Sequence, residues 1–381
     1  MSELSKAGSL AILLTSCLTI MVGTAIAPSL NIIAPRLHVT TLATWLITLP
    51  SLGVVLCAPL AGWWIDRKGP HTVMKWGLAA YGLLGVAPVF LHTPGLILAN
   101  RLLLGGATAA VMASGTALLA IFFQGQARLR MLAIQGMAIE LGGVLFLLLG
   151  GALGETDWRL PFMIYLFAWC CLLLFLCTVP AVRATAAIGD VPTPASRSMT
   201  KPVRLIVAGA VIAMGLFFTA IVGIPAFLFK DFGYTASQTG YYMGAVSLIA
   251  VLAAGLLTGM VKRLTATYTL ITGFGLLALG HLLLYHASNL PGLALAAICL
   301  GGGFGFTVPL LNHLMVEEST AANRGRNLGY YSMAIFGGQF LSSFMELFTG
   351  SSRMAFLAAA IAGTGVTLLL LLNQRRYLSQ K

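Results

Sequence analysis

Residues 62–75 read GWWIDRKGPHTVMK, and this stretch decides how the rest of the chain is read. It sets Asp66, Arg67 and Lys68 side by side in a protein of 381 residues of which only 8% are charged, and apolar runs flank it on both sides. Gly69 and Pro70 supply a turn, because glycine adopts backbone angles closed to other residues and proline fixes the angle that follows. A charged hairpin between two long apolar runs is a loop at a membrane surface.

Working outward, the composition agrees. A soluble domain carries about 25% charged residues, whereas this chain is 59% hydrophobic. Twelve apolar segments can be drawn, at 8–28, 42–64, 72–91, 95–122, 129–153, 159–180, 203–229, 236–261, 266–286, 291–316, 326–350 and 352–373. Each is long enough to cross a hydrocarbon core of ~30 Å. The 43 glycines suit helices that must approach closely in lipid. The net charge of +12 is spread one or two residues at a time between the apolar runs, which reads as topology and not as a nucleic-acid surface. Cys17, Cys57, Cys170, Cys171, Cys177 and Cys299 all fall inside apolar runs without metal-ligand spacing, so they are expected to be buried small hydrophobes. The first apolar run is read as a retained helix and not as a cleaved signal.

The one long polar stretch runs from Arg183 to Arg204 and contains Asp190, Pro192, Pro194, Ser196 and Lys201. It divides the chain into a six-helix bundle at 1–182, a cytoplasmic linker at 183–204 and a second six-helix bundle at 205–381. With the N-terminus inside, all of the 22 basic residues except Arg36, Arg101, Arg159, Lys230 and Arg353 lie in cytoplasmic segments. That bias places both termini in the cytoplasm.

The halves also repeat at one offset. Adding 196 carries Arg67 to Arg263, Gly77 to Gly273, Gly105 and Gly106 to Gly301 and Gly302, and Arg128 and Arg130 to Arg324 and Arg326. The same offset carries Met137-Ala138-Ile139 to Met333-Ala334-Ile335. A duplicated six-helix unit follows, with the halves related by an axis along the membrane normal.

These residues carry a family resemblance. Gly62, Asp66, Arg67 and Gly69, followed by Lys75, are similar to the G-x-x-x-D-R-x-G signature between the second and third helices of the major facilitator superfamily; Pro70 and His71 stand where that family usually has basic residues. The resemblance implies an all-α membrane protein, with twelve transmembrane helices in two pseudo-symmetric bundles. It also implies that Asp66 faces the positive end of the eleventh helix, near Arg326, and latches the cytoplasmic side closed. Gly62 is expected to let the second helix pack closely on a neighbour.

Arg101 lies in LANRLLLGGATAA, about five residues inside the fourth helix, where a charge is costly unless it is paired or reaches water. Arg101 and Gly105 resemble the family's fourth-helix motif, associated with proton-coupled transport, although Leu104 replaces a polar residue; snorkelling to the outer headgroups is the alternative. Glu140 sits roughly 12 residues, or about 18 Å, from Arg128 along the fifth helix. Desolvation at that depth favours the protonated acid, the property a proton carrier needs. A structural hydrogen-bonding role is the competing reading. Gly142, Gly150-Gly151-Ala152-Leu153 and Asp157-Trp158-Arg159 with Phe162 are similar to the antiporter signature of the drug-efflux members, but Phe146 and Leu147 occupy its Gly-Pro positions. Pro28 and Asn31 resemble the outer end of the first helix in that branch, without the acid several of its members have there.

In the second half, GGGFGFTVPLLNHL and EESTAANRGRNLG resemble the tenth helix and the following loop of family exporters. Pro309 is expected to free a carbonyl toward a cavity or a neighbouring side chain. His313 is either a proton relay or a satisfied histidine near a helix end, and Glu346 is a second coupling candidate or a group facing outside water. In this fold the first, fourth, seventh and tenth helices line the central cavity. Asn31, Arg101, Met112, Phe217, Phe218, Phe306, Asn312 and His313 are therefore the expected wall positions, in a mostly apolar cavity.

The expected function is secondary active export of a small amphipathic molecule from the cytoplasm, coupled to proton influx, with Glu140 and Arg101 at the coupling site. The alternatives are export of a specific metabolite or metal-chelating compound, uptake by the same fold, a channel, which would show a repeated polar pore ring that the sequence lacks, or a membrane receptor that transports nothing. No phosphate-binding G-x-x-x-x-G-K-[ST] loop is present, which argues against a primary pump. Neither a catalytic triad nor a metal cluster is recognisable, so no enzyme activity and no cofactor is expected. The expected partners are the substrate, protons and the lipid of a bacterial inner membrane, with the chain acting as a monomer and no nucleic acid bound.

Overall fold

The computed structural model describes residues 4–181, 199–320 and 323–379. Residues 183–198 of the expected linker lie outside these, and the following helix already begins at Lys201.

Among the described residues the chain is helical and built of twelve spans. The first six are α1 (Lys6–Arg36), α2 (Trp45–Lys68), α3 (Pro70–Val89), α4 (Pro94–Phe122), α5 (Gly125–Thr156) and α6 (Leu160–Thr178). The seventh is α7 (Lys201–Phe232). A single 51-residue run, Ala236–His286, contains the next two, because Thr265 has non-helical angles and divides it into α8 (236–264) and α9 (266–286). α10 (Leu290–Glu317) runs unbroken through Pro309. α11 starts as Arg324–Leu341 and continues as Ser343–Thr349, and α12 is Ser352–Ser379. Ten helices are long and apolar enough to be recognised as spans. The doubled run supplies an eleventh and the more polar α11 the twelfth.

The helices fall into two compact units. Among the described residues, one contains 4–181 together with Thr235–Gly244, and the other contains 199–234 and the described residues from Ala245 onward. The first turns of α8 therefore pack with α1–α6 although they follow the linker in sequence.

Glycine sets the closest helix crossings, and the crossings repeat with the sequence. In the first unit a Cβ on Gly105 of α4 would collide with the Pro50 carbonyl and approach Gly53 of α2. In the second unit a Cβ on Gly301 of α10 would lie 2.5 Å from the Val246 carbonyl oxygen and 2.8 Å from Ile249 of α8. All three positions correspond at the 196-residue offset. Likewise Gly77 of α3 meets Ala110 and Val111, and Gly273 of α9 meets Phe306 and Thr307, again at equivalent positions. Gly62 does not take the expected role: a Cβ there would meet nothing within 4 Å. The close approach of α2 occurs earlier on the helix, at Gly53.

The cysteines divide. Cys17, Cys171 and Cys299 are buried, Cys57 is half-buried, and Cys170 and Cys177 are exposed. The expectation that all six are buried is therefore corrected. In a chain solvated by lipid an apolar run does not distinguish a core position from an outward-facing one, since both environments accept a small hydrophobe.

Candidate functional site

The first unit is centred on Arg101, whose side chain is 0% exposed. Its Nε donates to the Leu46 carbonyl at 2.8 Å. Its Nη2 donates to the Val22 carbonyl at 2.7 Å and to the Tyr165 hydroxyl at 3.1 Å. Both carbonyls are open for a reason written in the sequence. In an α-helix the Leu46 oxygen would accept from residue 50, but Pro50 has no N–H. The Val22 oxygen would accept from Ile26, but α1 loosens there and the Ile26 N–H turns to Gly23. Tyr165 donates to the same Val22 oxygen at 2.8 Å, and Tyr81 donates to the Leu18 carbonyl at 2.6 Å. The Arg101 guanidinium carbon also lies 5.5 Å from the centroid of the Tyr165 ring. The charge thus ties α1, α2, α4 and α6 together, and it is held by carbonyls and a phenol, with no carboxylate among its hydrogen-bond partners. It does not snorkel.

Glu140 lies near the middle of α5 and is half-buried. One face of α5 is a glycine stripe against α1. A Cβ on Gly142 would approach Cys17, one on Gly143 would approach Ile20, one on Gly150 would collide with the Ala25 carbonyl, and one on Gly154 would collide with Ser29. Polar links follow the same seam: Gln135 Nε2 donates to Ser16 Oγ at 2.9 Å, and Ser29 Oγ donates to the Gly150 carbonyl at 2.8 Å. An adjacent face receives the start of α8, where Gly240 lies against Leu147 and Gly151, and Gly244 against Leu148 and Val144. Helical spacing puts Glu140 on this second face, one turn inward of Val144. It makes no hydrogen bond or ion pair with any described residue.

At the C-terminal end of the same helix, Glu155 accepts from Thr235 Oγ1 at 3.0 Å and from the Ser237 N–H at 3.1 Å. Thr235 and Gln238 cap α8 reciprocally: the Thr235 N–H donates to Gln238 Oε1 at 2.9 Å, and the Gln238 N–H donates to Thr235 Oγ1 at 3.3 Å. This is a capping box. Sequence reasoning passed over it, although T-x-x-Q ahead of an apolar run was its visible sign.

The charged hairpin turns as expected. Gly69 has φ 79° and ψ 152°, and Pro70 is the first residue of α3. Asp66 and Arg67 are exposed, and the Arg67 guanidinium carbon stacks 4.2 Å from the centroid of the Trp63 ring. The equivalent turn between α8 and α9 has the same backbone shape, with Thr265 at φ 71° and ψ 163°. There a β-branched residue occupies a conformation suited to glycine.

The other candidates divide between the units. Asn31 and Met112, both half-buried, belong to the first with Arg101; Phe217, Phe218, Phe306, Asn312 and His313 belong to the second. Phe217 and Phe218 are buried, and the Phe217 ring lies tilted against Phe304 with centroids 4.2 Å apart. Asn312 and His313 are exposed, and His313 Nε2 lies 3.2 Å from Glu317. Glu346 is half-buried and accepts from Ser352 Oγ at 2.8 Å, linking α11 to α12. His281, unmarked in the sequence reading, is fully buried and lies 2.8 Å from the Leu277 carbonyl through Nδ1. Arg353, at the start of α12, ties it to the ends of α7 and α9 by donating to Asp231 at 2.8 Å and to the Tyr285 carbonyl at 2.6 Å.

Comparison with known proteins agrees with this architecture. The sequence model of the Major Facilitator Superfamily matches residues 12–343. The chain is 26% identical over 363 residues to an uncharacterized MFS-type transporter, YceJ, of Bacillus subtilis, covering 91% of this chain and 88% of that one. It is 27% identical over 304 residues to the class D tetracycline resistance protein of Salmonella ordonez, covering 74% and 73%. Among solved structures, a bacterial homolog of the human lysosomal transporter Spinster superposes with a TM-score of 0.81 at 14% identity, covering 98% of both chains. With its duplicated six-helix units and a family match over most of its length, the chain belongs to the Major Facilitator Superfamily and is an integral membrane transporter.

Proposed function

We propose that this transporter exports a small amphipathic molecule from the cytoplasm by proton antiport. Two bundles, 1–182 and 205–381, would alternate access to a central site across the cytoplasmic linker at 183–204. The observation that carries the reading is Glu140, a half-buried acid in mid-helix with no described partner, on the α5 face that also meets the start of α8. A carboxyl without a fixed partner can gain and lose a proton without dismantling a hydrogen-bond network, and it would do so as access changes from one side to the other. Similarity to a tetracycline resistance protein over about three quarters of both chains supports export as the direction.

Arg101 would act in coupling through the frame it fixes, α1, α2, α4 and α6, since α1 packs on α5. The substrate would contact Asn31, Met112, Phe217, Phe218, Phe306, Asn312 and His313, with Glu346 as a second proton site. The protein would work as a monomer in a bacterial inner membrane with both termini cytoplasmic.

The test is transport in proteoliposomes under an imposed pH gradient, using a tetracycline and a lipophilic cation as probe substrates. Glu140→Gln is expected to abolish gradient-driven export while leaving downhill exchange of substrate measurable. Gradient-driven export equal to that of the parent would remove Glu140 from the coupling site.

A further inference from the structure

A groove of about 420 Å³ opens on the outward face of α2, α3 and α4 in the first unit. The half-buried Trp64 and the exposed Trp76 line it nearest the hairpin, and the buried Gly77 and half-buried Gly106 line it between the helices. Leu84 and Leu103 close the end farther from the hairpin. From Trp76 to Leu84 it extends about 12 Å along α3. The glycines let the helices approach: a Cβ on Gly77 would lie 3.1 Å from Val111 and one on Gly106 would lie 3.1 Å from Cys57.

The polar end of this groove is cationic. The Lys75 ammonium lies 5.3 Å from the centroid of the Trp76 ring, which itself lines the groove. Arg67 and Lys68 are exposed on the same hairpin. Neither these two nor Lys75 forms an ion pair with any described residue, and Asp66 is the hairpin's one acid. Trp at an interface with Lys beside it is the arrangement that meets a lipid headgroup region. An apolar lining that ends beside basic side chains without ion-pair partners matches a hydrocarbon chain joined to an anionic headgroup.

We infer that this groove is a binding site for an anionic phospholipid, with one acyl chain beside Trp64 and Trp76 and the phosphate beside Lys75 and Arg67. Charge gives the preference for an anionic headgroup, and the groove gives the chain a fixed place. A charged surface alone would supply only the first.

Vesicles with bromine-labelled acyl chains test this by quenching tryptophan fluorescence. In the parent, brominated phosphatidylglycerol is expected to reach half-maximal quenching at roughly five-fold lower mole fraction than brominated phosphatidylcholine, the preference a single basic side chain provides near an anionic surface. Lys75→Gln should remove most of that preference. Ala80→Phe, at a residue that lines the groove, leaves every charge in place and should remove the preferentially quenched fraction; Trp76→Phe should reduce that fraction by deleting one of the two tryptophans beside the chain, Trp64 remaining as the other. Equal quenching by the two lipids in the parent would overturn the site. A preference that survives Lys75→Gln would overturn the headgroup assignment, and one that survives Ala80→Phe would reduce the effect to general surface attraction. Size-exclusion profiles matching the parent establish that each variant is folded.

Discussion

Arg101 donates its Nε to the Leu46 carbonyl oxygen at 2.8 Å, and that oxygen is available because the residue four positions on, Pro50, has no N–H to claim it. A proline in α2 and an arginine in α4 are therefore two halves of one hydrogen-bonding arrangement. Replacing the arginine leaves the Leu46 oxygen without its donor and the Val22 oxygen with Tyr165 alone. A buried acceptor left unsatisfied costs about 1–3 kcal/mol. Arg101→Met is expected to lower stability by about 2–3 kcal/mol in equilibrium unfolding, measured in detergent micelles. Adding Pro50→Ala to that variant should recover about 1 kcal/mol, because the restored N–H can take the Leu46 oxygen. Failure of the second change to recover stability would break the link between the two residues.

Much of this fold could be read from the residues, and the reasons are physical. The alternation of apolar runs with short basic loops reports lipid and water directly. The 196-residue repeat survives because Gly105 and Gly301 meet equivalent backbone at Pro50 and Val246. The depth of Arg101 was legible, but its partners were not, since they are main-chain oxygens that carry no side-chain signature. Pro50 and Pro28 were the available clues, each marking a turn whose carbonyls could be left open. Gly62 misled because a motif glycine and a packing glycine look alike in sequence. Glu155 escaped notice because its partners are about 80 residues away.

Thr265 holds φ 71° at the turn where the first half places Gly69 at φ 79°. Positive φ at a β-branched residue stores on the order of 1–3 kcal/mol, and Thr265 is exposed, so little packing is lost by truncating it. Thr265→Gly is expected to stabilise the protein by about 1 kcal/mol after the added backbone entropy of glycine is subtracted. Gly69→Ala should do the reverse. Thermal unfolding of the two variants beside the parent gives the comparison, and a loss of stability in Thr265→Gly would show that the threonine side chain matters more than the strain.

Glu155 accepts one hydroxyl and one amide at the first turn of α8. It is exposed, so its effect should be local. Glu155→Ala is expected to raise hydrogen exchange at the Ser237 amide and its neighbours several-fold while leaving mid-helix amides of α5 unchanged. Thr235→Ala, which also removes the reciprocal bond to Gln238, should raise it further. Exchange in Glu155→Ala equal to that of the parent at Ser237 would mean that the capping box alone orders this turn.

Asp66 is exposed and makes no hydrogen bond or ion pair with a described residue, while Arg67 beside it is turned onto Trp63. Its carboxylate is thus not consumed within its own hairpin, and the proposed latch needs it free to meet the positive end of α11. A carboxylate at a helix N-terminus contributes about 0.3–1 kcal/mol, and up to ~2 kcal/mol when partly buried. Losing about 1 kcal/mol from one of two conformations changes their ratio roughly five-fold. Asp66→Asn is therefore expected to shift the population about five-fold toward inward-open and to slow transport. Lys262, at the equivalent position of the second half, has the wrong sign for such a contact, so Lys262→Gln should leave the balance unchanged. Labelling rates at single cysteines introduced on the cytoplasmic side read both variants. Unchanged labelling in Asp66→Asn would reduce the hairpin's charges to setting topology.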